Sequence, residues 1–285
     1  MKKILTIATA LLISTHALAD GRSAAQNLFA NLNRSRQEIG ENASSTFVTP
    51  TLVRGMYALS DASGKFVGFT NEGGSLFGDS RGFIGLSAGG SKFVPLTPDQ
   101  TADLRREVAA NIDRDKLITV RYGDEKTRLF MFSAIDCPHC KKLEDQLRKA
   151  GDNENTTFYV IPSSLQSTSD GAAGRQQWQR VASIWCAADP AHAWKTYWAT
   201  GATPTARACS FSDAKIAEHA QERLWGILKG VGVAVHGTPA YIREDGLLLS
   251  KKTLDLPLEG AKPAYWLTGA DGHSTDDFRP QRVGR

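Results

Sequence analysis

The pattern of apolar and polar positions changes rhythm along the chain. Ile4 to Ile13 is an apolar run broken only by small residues and threonine. Residues 22–40 carry one apolar stripe, Leu28, Phe29 and Leu32, among polar positions, which predicts a helix. Residues 44–96 break into short apolar runs, among them Met56-Tyr57-Ala58-Leu59 and Phe66-Val67-Gly68-Phe69. Turn signals such as Ser60-Asp61-Ala62-Ser63-Gly64 separate them, and the pattern predicts a small antiparallel sheet. So thin a sheet buries little alone, so a dimer partner would help to stabilise it. Thr97-Pro98 then reads as an N-cap and a first-turn proline. Leu104, Val108 and Ile112 recur every fourth residue, which predicts a connecting helix over 98–113.

From residue 116 the rhythm changes again. Leu117–Tyr122 and Arg128–Phe132 read as strands. Cys137–Ala150 reads as a helix with Leu143 and Leu147 inward and Gly151 as its stop signal. Thr157–Ile161 is a further buried strand, and 172–200 and 212–229 are helical. Val231–Val235, Ala240–Arg243 and Leu247–Lys251 read as strands, the last two joined by a Glu244-Asp245-Gly246 turn. Strand, helix, strand and a closing hairpin make an α/β pattern. Beyond residue 268 the composition turns polar and glycine-rich, which predicts a flexible tail.

Composition narrows the class. Of 285 residues, 41% are hydrophobic and 22% charged, which excludes a chain disordered throughout, a collagen and a coiled coil. The net charge is +4, and +2 without Lys2 and Lys3, with no basic block longer than two residues. That excludes an electrostatic nucleic-acid partner. Met1-Lys2-Lys3, the apolar run and Ala17-Leu18-Ala19 together read as a cleavable signal peptide over 1–19. The run is too short to span a bilayer, although a retained anchor is the alternative reading. The mature chain would begin at Asp20 outside the cytoplasm, in a bacterium the periplasm, where disulfides persist.

The candidate chemistry lies in the four cysteines. Cys137-Pro138-His139-Cys140 is a C-x-x-C that follows a buried strand and opens a helix, the context of a redox dithiol. A sulfur at a helix N-terminus meets unpaired N–H groups and the positive end of the dipole, so its thiolate is favoured. Pro138 suits the first turn, where its missing N–H costs nothing. His139 places an imidazole beside the sulfurs, where a protonated ring would favour the thiolate further. A zinc site would need two more ligands at workable spacing, and Cys186 and Cys209 stand at long, dissimilar intervals. Covalent haem attachment needs histidine after the second cysteine, where Lys141 stands. A C-x-x-C ring is small and strained, which favours reducibility over stapling. A reactive C-x-x-C pairs within itself, leaving Cys186 to pair with Cys209. That bridge closes a loop of about two dozen residues, worth on the order of 3 kcal/mol, in a structural role. A second redox couple is the alternative. The tryptophans at 178, 185, 194 and 198 have helical spacing and read first as core or groove residues. Pro239, in His236-Gly237-Thr238-Pro239-Ala240, sits between two apolar strands where it cannot donate to a ladder.

These residues resemble the periplasmic disulfide isomerases of the DsbC/DsbG type. The resemblance is strongest over about 128–255. Ile184-Trp185-Cys186-Ala187 and Ala208-Cys209-Ser210 look like that family's second-disulfide region. Gly237-Thr238-Pro239-Ala240 is similar to its cis-proline loop. Gly55-Met56-Tyr57 and the 64–79 segment resemble its cystatin-like dimerisation domain. The resemblance implies an α+β chain. Its parts would be a dimerisation domain over 20–96, a linker helix over 97–115 and a thioredoxin-fold catalytic domain with a helical insertion over 116–268. The tail would occupy 269–285. It implies a homodimeric thiol:disulfide isomerase acting on misfolded, disulfide-containing proteins, with chaperone activity and no metal or organic cofactor. A membrane thiol reductant of the DsbD type would keep Cys137 and Cys140 reduced. Cys137 would be the exposed nucleophile and Cys140 the resolving thiol. The Thr238 backbone, held by a cis Pro239, would pair with the substrate chain. One departure stands out: Pro138-His139 is the pair found in the monomeric oxidase DsbA, where isomerases carry Gly-Tyr or Pro-Tyr more often. Two alternatives follow, a dithiol oxidase and a holdase chaperone with secondary thiol chemistry.

Overall fold

The computed structural model describes residues 8–42, 44–124, 127–205, 209–233 and 237–246. It comprises two compact units. Of the described residues, one holds those up to 105 together with 223–232; the other holds those of 106–222 and those from 233 to 246. Among the described residues, no helix is long and apolar enough to cross a membrane.

In the first unit, α1 (Ala8–Ser35) precedes six antiparallel strands. These are β1 (Phe47–Pro50), β2 (Met56–Ser60), β3 (Phe66–Asn71), β4 (Leu76–Asp79), β5 (Gly82–Leu86) and β6 (Phe93–Pro95), adjacent in sequence order. The apolar stripe is the buried face of α1: Leu28, Phe29 and Leu32 pack with Leu59 and Phe93. The helix ends earlier than the periodicity predicts. Arg36 takes left-handed backbone with φ 55°, and Gln37 N–H reaches back to Leu32 O at 3.0 Å. Asparagines fasten the polar flank of α1 to the β3–β4 turn. Asn27 Nδ2 donates to Glu72 O at 3.1 Å and Asn31 Nδ2 to Gly74 O at 3.0 Å. Gly74 has φ +61°, and a Cβ there would collide with the Leu28 backbone nitrogen, so the turn can touch the helix only as glycine.

The connecting helix α2 spans Pro98–Asn111. Its start is a reciprocal cap: Gln100 N–H donates to Thr97 Oγ1 at 3.3 Å, and Thr97 N–H to Gln100 Oε1 at 2.9 Å. Of the four-residue stripe, Val108 and Ile112 are buried and Leu104 is half-buried, with Ala109 buried beside them.

The second unit is built on the strands β7 (Ile118–Tyr122), β8 (Thr127–Ala134), β9 (Thr156–Ser163) and β10 (Ala240–Arg243), in the order β10-β8-β9-β7. β8 and β9 run parallel, so the chain must cross over between them, and α3 (Pro138–Ala150) makes that crossing. β7 and β10 lie antiparallel to their neighbours. Every residue of β9 is buried, so it reads as a continuous run and not as an alternation.

The helical stretch expected at 172–200 is two helices, α4 (Ala172–Trp185) and α5 (Pro190–Thr200). The break is local chemistry: Asp189 caps α5 by accepting from His192 N–H at 2.9 Å, and Pro190 occupies the first turn. α6 (Ala214–Gly230) reaches the point where a strand was expected over Val231–Val235. Instead Val231 and Gly232 form a turn and Val233 is in no strand, while 234–235 lie outside the described residues. The expected strand Leu247–Lys251 and the tail 269–285 also lie outside them.

The tryptophans at 178, 185, 194 and 198 are core residues, and three of them bind across elements through the indole N–H. Trp178 donates to Gln166 O at 2.7 Å, Trp185 to Lys116 O at 2.7 Å and Trp194 to the Glu144 carboxylate at 2.9 Å.

Candidate active site

The last residue of β8 leads into the C-x-x-C turn. Cys137 N–H donates to Ala134 O at 3.1 Å, which folds the chain back after the strand. Cys137 then has extended backbone at φ −93°, ψ 122° and is the N-cap of α3, with Pro138 in the first turn. Pro138 and His139 are exposed, and Cys140 is fully buried on the inner face with Leu143 and Leu147.

Thr238 and Pro239 arrive from a hundred residues downstream. The Thr238–Pro239 peptide bond is cis. The pair stands immediately before β10, whose Ala240 lies opposite Phe132 of β8. That register brings Thr238 to the cysteine turn, and Cys137 Sγ–H donates to Thr238 O at 3.2 Å. The contact corrects one expectation. Cys137 is only 5% exposed, because the cis-proline segment lies against its sulfur.

The two sulfurs are placed differently. Burial by itself would push the Cys137 thiol up. It is outweighed by Thr238, by the backbone N–H groups of Cys140 and His139 and by the Cys140 thiol, which hold Cys137 below its ordinary value. Cys140 is pushed up to about 12, chiefly by burial and further by a Cys137 charge. Ala134 N–H, at 3.4 Å from Cys140 Sγ, offsets only part of this. The Thr238 hydroxyl is buried and has no hydrogen-bond partner among the described residues. It favours the thiolate at both positions, so it is a donor held ready for the ionised state. The arrangement can hold one reactive thiolate over one protonated thiol.

Cys186 and Cys209 are joined by a disulfide with Cα atoms 5.6 Å apart. It ties the C-terminal end of α4 to the segment before α6, and Trp185 beside it stacks on Phe211 at 4.4 Å between ring centroids. Among the described residues no cluster of three or more His, Cys, Asp or Glu side chains could hold a metal.

Two residues of the site escaped the sequence reading. Asp136, directly before Cys137, accepts Ser164 Oγ–H at 2.7 Å and Leu165 N–H at 2.8 Å. Glu144 lies one helical turn beyond Cys140 on the same inward face, buried, with the Trp194 indole on its carboxylate. Its signal was available: position 144 is one turn past an inward cysteine, where a charged residue is out of place.

A thioredoxin-like domain family matches residues 113–257, which takes in both cysteine pairs and the cis-proline turn. Over 156 residues the chain is 30% identical to a probable thiol:disulfide interchange protein DsbC of Bordetella parapertussis, covering 53% of this chain and 49% of that protein. The protein of the same description in Bordetella pertussis is 30% identical over 124 residues, covering 44% of this chain and 37% of the other. The chain thus matches about half the length of these curated relatives or less. Among solved structures, a disulfide interchange protein of Neisseria gonorrhoeae aligns at 24% identity with a TM-score of 0.33, covering 45% of this chain and 80% of that one. Helicobacter pylori DsbG aligns at 13% identity with a TM-score of 0.26, covering 76% and 99%. With the matched family extending over more than half of its residues, the chain belongs to the thioredoxin-like domain family.

Proposed function

We propose that this protein is a thiol:disulfide interchange enzyme that rearranges non-native disulfides in other proteins. The observation that carries the reading is the asymmetry of the dithiol: Cys137 is held below its ordinary pKa while Cys140 is pushed up to about 12. A thiolate is the attacking form, so only Cys137 is armed. Its sulfur attacks one sulfur of a substrate disulfide, the S–S bond breaks, and the other substrate sulfur leaves as a thiolate. In isomerisation a second substrate thiolate displaces Cys137 from the mixed disulfide and the enzyme returns to the dithiol. In reduction Cys140 gives up its proton and attacks Cys137 instead, releasing the substrate thiol and leaving a Cys137–Cys140 disulfide. The Thr238 carbonyl, next to the reacting sulfur, is available to pair with an extended substrate backbone. Exposed His139 stands beside the pair and tunes the thiolate; the Cys186–Cys209 bridge is structural.

Refolding of a protein with scrambled disulfides tests the assignment. The wild type should restore activity to the scrambled protein, and replacing Cys137 and Cys140 by alanine should abolish that rescue. Rescue by the double variant at the wild-type rate rejects the thiol mechanism. Suppression of aggregation that survives the double replacement would add a chaperone function. The oxidase reading draws on the Pro138-His139 pair. A Cys137–Cys140 couple found mostly oxidised in cells would favour it.

Residues 1–19 act as a signal peptide that sends the chain to the periplasm. A membrane reductant of the DsbD type returns the dithiol to its reduced state. The unit over 20–96 dimerises. Phe47 and Phe66, at 62% and 42% exposure, support this, since both are paired with Ser60 at one end of the sheet. Light scattering on the chain lacking its first nineteen residues should give about twice the monomer mass. A monomer would contradict the dimer.

A further inference from the structure

Sheet order puts the cysteine turn between two other chain segments. β8 lies between β10 and β9. Thr238 and Pro239 precede β10, so they flank Cys137 on one side. β9 ends with Ser163 opposite Ala134, so Ser164 and Leu165 flank the turn on the other side. Ile135 N–H continues that ladder onto Ser163 O at 2.9 Å. The cis-proline wall presents backbone to a substrate. The second wall presents a side chain: Leu165 is 60% exposed.

A lone exposed leucine is ordinary on a protein surface. Leu165 differs in how its backbone is held. Its N–H donates to Asp136 Oδ1 at 2.8 Å, and its neighbour Ser164 donates to Asp136 Oδ2 at 2.7 Å. Both oxygens of the residue bonded to Cys137 are therefore spent on fixing this turn. Further along, Gln166 O accepts the buried Trp178 indole at 2.7 Å, and Thr168 N–H donates to buried Glu218 at 2.9 Å. An apolar side chain on an immobilised backbone loses little more freedom when a ligand covers it, so its burial goes into affinity.

We propose that Leu165 is a substrate-contact residue of the Cys137 site. In this arrangement Asp136 is its positioning residue, and the occupant is a polypeptide with an apolar side chain beside the cysteine under attack. This rests on the dithiol reading above and adds a specificity to it. Because Asp136 is the covalent neighbour of the nucleophile, the contact keeps its register with the sulfur as substrates change.

The test is the rate at which the reduced protein attacks peptides whose single cysteine carries a thiopyridyl group. One peptide has leucine beside the cysteine and the other serine. Dipyridyl disulfide, which has no peptide, reports the reactivity of the thiol itself and normalises both rates. The wild type should prefer the leucine peptide by about 10-fold, the scale of covering one leucine side chain. Leu165→Ser should bring that ratio to about one. Asp136→Ala should lower it similarly. Asp136→Asn should restore it, because an amide can still accept from Leu165 N–H and donate to Ser164 Oγ. A leucine preference that survives in Leu165→Ser overturns the proposal. Asn behaving like Ala assigns the effect to charge and overturns the positioning role. A wild type inert to dipyridyl disulfide refutes the dithiol reading itself, a result distinct from equal rates on the two peptides.

Discussion

Iodoacetamide at about pH 7 should label Cys137 of the reduced protein at least roughly 30-fold faster than Cys140. A thiol with a pKa of about 12 is ionised in roughly one molecule in a hundred thousand at that pH. A thiol at the ordinary 9.0 would be ionised in roughly one in a hundred, and Cys137 lies below 9.0. The thiolate populations thus differ by at least about a thousandfold. The more basic Cys140 thiolate is intrinsically more nucleophilic, by roughly 15- to 30-fold over three pKa units, and this reduces the ratio without reversing it. Access acts the same way as ionisation, since Cys140 is wholly covered and Cys137 is 5% exposed. Mass spectrometry of the labelled, digested protein should find one modified cysteine, at 137. Equal labelling, or modification at 140 first, would remove the basis for a single armed sulfur. Thr238→Val should raise the Cys137 midpoint and slow labelling at this pH, because it deletes the hydroxyl that favours the thiolate.

The stability of the protein should fall as pH rises from about 5 to about 9, and Glu144→Gln should remove most of that fall. Burial pushes the Glu144 carboxyl up from 4.5 to about 8, against the Trp194 indole and Lys195, which favour its charged form; Asp145 adds to the rise. Raised in the folded state, the group contributes stability that is fully present below about pH 4.5 and lost as pH climbs through about 8. Each pKa unit corresponds to about 1.4 kcal/mol, so the loss has a ceiling of about 5 kcal/mol. Glutamine keeps an oxygen for the Trp194 N–H and cannot ionise. Urea unfolding followed by tryptophan fluorescence should show the variant gaining on the wild type as pH rises. Parallel curves for the two proteins would mean that Glu144 does not titrate in this window. The contact matters for the site because Glu144 joins α3, which carries Cys140 and is capped by Cys137, to α5 of the helical pair between β9 and α6.

Local chemistry was legible in the chain. The Leu28, Phe29 and Leu32 stripe, the Thr97 cap, the short strands between turn signals and the proline-started helix at Cys137 all depend on contacts within a few residues. Periodicity and capping report such contacts directly. The same logic failed at element ends. A residue such as Arg36 in left-handed backbone, or Asp189 with Pro190, ends or starts a helix without disturbing the apolar pattern around it.

What only the tertiary structure decided are contacts between residues distant in the chain. The family resemblance implied an exposed Cys137, but Thr238, 101 residues away, lies against its sulfur. Asp136 carries no signal of its own in the sequence; β9, parallel beside β8, delivers Ser164 and Leu165 to its carboxylate, 28 and 29 residues on. Glu144 broke the helix's apolar face with no local compensation, and its partner Trp194 stands 50 residues downstream in α5. The sequence by itself determined which residues can form a helix-borne dithiol. Strand order and register determined what surrounds it, because a sheet brings together segments whose spacing along the chain carries no periodic signal.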